Sequence, residues 1–229
     1  MIKIENVEVM GWDTAIRGMR NPMNSWEKSD SGTCGYPHHI GCANCPDHKI
    51  CNHPFRNDGV FKLGKADYEL VMKLVKAGTD HRKFMRMIAV YADITAPLYW
   101  WKEYDTYKVA TVANSTSTMH KIASKPFSMD DFSCDHMTAG TRAFMETVIA
   151  KLEEIRLRYL ETKNKDDWYD MIQLLPSSYN QMRTCSFNYE TLINIYYARK
   201  DHKLAEWHTF CDWIKTLPYG EELIIGEGK

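Results

Sequence analysis

Residues 96–120 read APLYWWKEYDTYKVATVANSTSTMH. Trp100, Trp101, Tyr104 and Tyr107 stand among Lys102, Glu103, Asp105 and Lys108, and the stretch then runs into Asn114, Ser115, Thr116, Ser117 and Thr118. A planar, polar ligand calls for this mixture: aromatic walls, a few charges, and hydroxyls that donate or accept. Composition alone fits an interfacial segment whose aromatics merely pack. The order says more, because a proline, paired aromatics, a charged patch and a hydroxyl run follow one another.

Upstream, residues 1 to about 12 alternate as a first strand, with Ile2, Ile4, Val7 and Val9 apolar. Asp13 to Arg20 reads as a short helix capped by Asp13, with Ala15, Ile16 and Met19 on one side. Lys65 to Ala77 has helical spacing at Leu70, Val71, Leu74 and Val75, and Gly78 stops it. Phe84 to Tyr99 holds a helix end, a strand, or both. Downstream, Thr141 to Lys163 is the clearest helix, with Phe144, Val148, Leu152, Ile155 and Tyr159 along its stripe. Tyr189 to Arg199 and Lys203 to Lys215 are two more helices joined by a polar turn. These elements make a mixed α/β domain of the α+β type, a single domain over residues 1–229.

Asn21 to Gly59 has little periodicity and is rich in Gly, Pro, Cys, His and Asn. Loops of this length are functional or held by a local device. Within it, at about 30–58, Cys34, Cys42, Cys45 and Cys51 are separated by seven, two and five residues and interleaved with His38, His39 and His48. Four soft ligands would satisfy tetrahedral zinc, and an iron–sulfur cluster would use the same thiolates. A thiol-rich loop without metal is the plain alternative.

The chain has 229 residues, 44% hydrophobic and 26% charged, with a net charge of −1. That balance disfavours a protein held to nucleic acid mainly by phosphate attraction. No stretch approaches the roughly 20 apolar residues that cross a bilayer, and the start lacks a signal peptide's apolar core. A cytoplasmic protein with no membrane association is the expectation, and seven cysteines then read as thiols or metal ligands.

Three segments, in order, resemble the flavin-dependent thymidylate synthases. Gly78-Thr79-Asp80-His81 precedes an apolar stretch, where the family places a flavin-contacting histidine. Ala96-Pro97, Lys102-Glu103 and Thr106-Tyr107-Lys108 line up without gaps on the family's Ala-Pro, Arg-Gln and Arg-His-Arg. One residue of slack then puts Asn114, Ser117 and His120 on its Asn, Ser and Tyr. Leu175 to Arg199 brings Asn188 and Arg199 to the asparagine and arginine of the family's nucleotide-binding helix. Glu206-Trp207-His208 stands for its Gln-x-Glu pair. The departures are chemical: a hydroxyl, a phenol and an ammonium replace two guanidinium groups and an imidazole, and lysine lacks arginine's planar fork.

The resemblance implies FAD-dependent methylation of a pyrimidine deoxynucleotide, dUMP to dTMP in type, with methylenetetrahydrofolate and NADPH. It assigns His81, Lys102, Glu103 and Asn188 to the flavin, and Asn114, Ser117 and Arg199 to the nucleotide, to which Arg183 is added on its own chemistry as a phosphate-binding cation. Lys108, Tyr107 and Arg199 become the groups that stabilise charge. It also implies a homotetramer with active sites between subunits. From the residues themselves, Arg183, Arg199 and Lys200 around one helix form an anion cradle that Arg17 and Arg20 can extend. The rival readings are a non-catalytic or nucleic-acid-binding relative with a zinc loop, and a redox protein whose iron–sulfur cluster feeds the flavin.

Overall fold

Alternation along β4 (Ala89–Pro97) sets the sheet: Val90, Ala92, Ile94 and Ala96 are buried, while Tyr91, Asp93 and Thr95 face the other way. The computed structural model describes residues 2–33 and 61–226. Cys34, Cys42, Cys45 and Cys51, expected to hold a metal, lie outside the described residues. The chain divides into two compact units interleaved in sequence. The first comprises Met1–Val7, Tyr91–Ser186 and Lys203–Phe210; the second comprises Glu8–Val90, Phe187–His202 and Cys211–Lys229.

The sheet runs in the order β1-β4-β6-β5, with β1 at Lys3–Met10, β5 at Val112–Ser115 and β6 at Asn180–Asn188. The edge strand β5 pairs antiparallel with β6, matching Asn114 to Thr184 and Ser115 to Arg183. α3 (Leu98–Tyr104) leaves β4 directly at Pro97. Its first two amide N–H groups donate to the carbonyls of Tyr179 and Ser177, so its open end is satisfied by backbone. The long α4 (Ala139–Thr162) is capped by the Thr138 hydroxyl, and α5 (Lys165–Leu174) by the Asn164 side chain. α4 and α5 share a core with residues 122–134, centred on Phe132, Ile149, Leu152, Ile155 and Met171.

The second unit contains α1 (Trp12–Arg20), the two-stranded ribbon of β2 (Gly32–Thr33) and β3 (Phe61–Lys62), α2 (Lys65–Lys76) and α6 (Tyr189–Arg199). α7 (Ala205–Lys215) begins in the first unit and ends in the second. In the second unit Trp12 stacks on Phe61 at 5.5 Å and meets Tyr189 and Tyr219 edge-on. Gly78 stops α2 as its position predicts, with φ of 98°.

Three expectations need correction. Asp13 does not cap α1; the capping position is Gly11, at φ of 94°, whose carbonyl accepts from Ala15 N. A side chain there would put Cβ 2.2 Å from the Met87 carbonyl oxygen, so only glycine fits. Phe144 is 69% exposed, because the buried stripe of α4 starts one residue later, at Met145 and Ile149. Arg183, expected with Arg199 and Lys200 around one helix, sits on the strand β6 and belongs to the first unit, whereas Arg199 and Lys200 belong to the second. The open question at Phe84–Tyr99 resolves as a 3-10 turn (Lys83–Met87), then β4, then α3.

Candidate functional site

α3 presents Trp100, Trp101 and Tyr104 on one face because they recur at helical spacing, and that face is buried. The two tryptophans, which could have walled a ligand, pack into the core as neighbouring tryptophans more often do, 0% and 1% exposed. Trp100 packs on Trp207 at 4.7 Å and on Phe210 at 5.7 Å, both from the first part of α7. Trp101 donates its indole N–H to the Gln181 carbonyl. The opposite face and the turn after it carry the charges.

Around this aromatic block sit several of the residues that sequence singles out. The Glu103 carboxylate accepts from the Trp207 indole N–H at 3.1 Å, and Tyr107 meets the Trp207 ring edge-on at 6.0 Å. Arg183 lies over the Trp101 ring, 4.3 Å from its centroid, a cation–π placement. Its Nη1 donates to Asp105 at 2.7 Å and its Nε to Gln181 Oε1 at 3.0 Å. Lys102 and Lys108 are exposed and form no ion pair among the described residues. Asn114 is exposed on β5 beside Thr184. Ser117 is used locally, its hydroxyl oxygen accepting from the backbone N–H of Met119 and His120.

The same unit holds a carboxylate–phenol pair that sequence does not reveal. The Tyr99 hydroxyl donates to Glu206, which is buried. Burial, followed by the Glu206 charge and hydrogen bond, pushes the Tyr99 phenol well above its ordinary range, so it stays a donor. Burial likewise lifts the Cys185 thiol to about 11, which keeps it protonated and poorly nucleophilic at neutral pH.

In the second unit His81 is exposed on the turn after Gly78, its backbone N–H donating to the Gly78 carbonyl. Its neighbour Arg82 grips Glu190 in two-point fashion, at 2.8 and 3.1 Å. Asn188 caps α6, its side-chain oxygen accepting from Thr191 N. Arg199 is half-buried in the last turn of α6, where the helix dipole favours a cation. Arg20 is 3% exposed and donates Nε to Asp67 at 2.6 Å. The first unit thus gathers Glu103, Tyr107 and Arg183 around one aromatic block, and the second holds His81, Asn188 and Arg199 on separate supports.

Among the described residues no cluster of His, Cys, Asp and Glu is arranged to hold a metal ion, and no helix is long and apolar enough to cross a membrane.

No protein-family model matches the chain, and no curated protein matches it in sequence. Solved structures do. Thymidylate synthase X from Helicobacter pylori, solved with FAD and dUMP, superposes with a TM-score of 0.67 over 98% of this chain and 97% of that one, at 16% identity. A second structure of the flavin-dependent thymidylate synthase from the same organism, complexed with FAD and dUMP, gives 0.65 over 96% and 97%, also at 16% identity. The chain has the fold of those enzymes.

Proposed function

We propose that the chain is an FAD-dependent enzyme that methylates a pyrimidine deoxynucleotide, converting dUMP to dTMP with methylenetetrahydrofolate and NADPH. The observation that carries this reading is the likeness in fold, over 98% of the chain, to an enzyme solved with both FAD and dUMP. The three matched sequence segments add to it; they fall on the turn after α2, on the end of β4 with α3 and β5, and on β6 with α6.

The residues present fit the cofactor in their donor chemistry. Lys102 and Lys108 are exposed ammonium groups without an internal partner, suited to phosphate oxygens, and His81 is exposed. When bound, the flavin supplies the hydride chemistry that no side chain here can provide. Lys108 and Arg199 hold negative charge on the nucleotide, and Tyr107 donates as a neutral phenol. Asn114 offers an amide on the open edge strand. Asn188 keeps its Nδ2 donors while its oxygen caps α6. Glu103, Ser117 and Arg183 already make internal bonds, so their part is to fix the surrounding backbone and rings as much as to touch a ligand.

Arg199→Ala is expected to weaken dUMP binding by about 1.5–3 kcal/mol, the cost of a lost charge-assisted hydrogen bond. Isothermal titration measures it, and an unchanged dissociation constant would remove Arg199 from the site. The reading extends to a single-domain, cytoplasmic homotetramer, checked by light scattering on the purified protein. It also places zinc or an iron–sulfur cluster on Cys34, Cys42, Cys45 and Cys51, checked by metal analysis of the protein and of a Cys42→Ser, Cys45→Ser double variant.

A further inference from the structure

One face of α1 carries Asp13, Arg17 and Arg20, three to four residues apart and therefore side by side. That face opens on a pocket of about 160 Å³ in the second unit, walled by Trp26 and Phe61 and floored by Ile16. The walls are held rather than loose. Trp26 is half exposed, and its indole N–H donates to Asn21 Oδ1 at 2.8 Å, which fixes the ring. Phe61 is stacked on Trp12.

The two arginines differ in what they have left to give. Arg20 is buried; its Nε donates to Asp67 and its Nη1 to the Ser25 carbonyl and hydroxyl. Its Nη2 makes no hydrogen bond among the described residues, and the side chain lines the pocket. Arg17 is exposed and forms no ion pair among the described residues, Asp13 one turn back included. Asp67 cannot offset charge inside the pocket, because its oxygens already accept from Arg20, Ser29 and the N–H groups of Asp30 and Ser31. Two guanidinium groups with open donors, beside a fixed aromatic face, suit a planar group that carries an oxyanion.

We propose that this pocket binds a flat-ringed phosphate or carboxylate, with Arg17 and Arg20 Nη2 on the oxyanion and Trp26 against the ring. The inference goes beyond the flavin reading and uses none of the residues that the resemblance assigns to flavin or nucleotide, so either can fail without the other.

Ligand-observed saturation-transfer NMR on the full chain, without flavin, tests it with phenyl phosphate and benzoate, and 31P line broadening follows orthophosphate. Saturable binding of phenyl phosphate or benzoate is expected, and which of the two binds tighter tells phosphate from carboxylate. Arg17→Ala, at an exposed helical position that alanine suits, should weaken it about tenfold or more with an unchanged circular dichroism spectrum. Trp26→Leu should weaken phenyl phosphate but leave orthophosphate as it was. Absence of saturable binding, or binding indifferent to Arg17→Ala, would overturn the site. Equal affinity for orthophosphate and phenyl phosphate would overturn the role of the ring.

Discussion

Two arginine–carboxylate pairs of nearly the same length mark the two units, and they have opposite characters. In the second unit Arg20 meets Asp67 at 2.6 Å with the side chains 4% and 0% exposed. In the first, Arg183 meets Asp105 at 2.7 Å with the side chains 16% and 52% exposed. The buried pair is saturated, since Asp67 also accepts from Ser29 and two backbone N–H groups. Removing either partner would strand a charge away from water. The open pair rests on an indole face and solvent covers its acid, so Asp105 can be exchanged for another anion at little cost. Similar contacts thus serve as a structural clamp in one place and as a replaceable latch in the other.

Asp67→Ala should break this comparison most severely. A half-removed buried pair costs about 3–5 kcal/mol, measured by urea unfolding. A loss below about 1 kcal/mol would mean that water reaches the clamp. The clamp also sets a pH dependence. Burial alone would raise the Asp67 carboxyl, but hydrogen bonds from Ser31, Ser29, Arg20 and the Asp30 backbone outweigh it and hold the carboxyl below its ordinary 3.8. A depressed folded value means that the stabilisation is full above pH 3.8 and fades as pH falls through the lower folded value. Asp67→Asn should flatten that acid limb; an identical limb in the variant would assign it to other carboxylates.

Arg183→Met should cost less, about 1–2 kcal/mol, because it removes a partly shielded cation–π contact and two hydrogen bonds while keeping the apolar stem. Asp105→Asn should cost under about 0.5 kcal/mol, in keeping with an exposed partner. If Asp105→Asn destabilised as much as Arg183→Met, the latch would be a second clamp.

The smallest effect on the fold is expected from excising residues 34–60. β2 and β3 pair with Thr33 opposite Phe61, so an Asn-Gly turn can bridge a gap of about 5 Å. The stems are anchored independently, since the Asp30 carboxylate accepts from the N–H groups of Ala66 and Asp67. Near-UV circular dichroism should be retained and any bound metal lost. Loss of the near-UV signal would show that the fold depends on the excised segment.

The sequence was most readable where periodicity and a cap coincide. α6 runs from Tyr189 to Arg199 as its pattern predicts, because Asn188 caps it and apolar residues repeat along it. α5 escaped notice because KDDWYDMIQL buries few apolar side chains; Met171 in the core shared with α4, Asn164 at its start and Asp167 gripping Arg158 hold it. The site was legible only as residue types. Arg183 reads as a free cation because Asp105 lies 78 positions away, and Arg82 gives no local sign of Glu190, 108 positions on. Trp100 and Trp101 read as core more readily than as ligand walls, and the packing of Trp100 on Trp207 and Phe210 decides for the core.

The proposed function requires this fold to hold a flavin next to a deoxyuridine nucleotide. Its most direct test is the visible absorption spectrum of the purified protein during FAD titration, followed by dUMP. Saturable uptake of FAD, with a flavin band that shifts when dUMP is added, is the expected result. A protein that takes up no FAD, or binds it with a spectrum indifferent to dUMP, would contradict the proposed function.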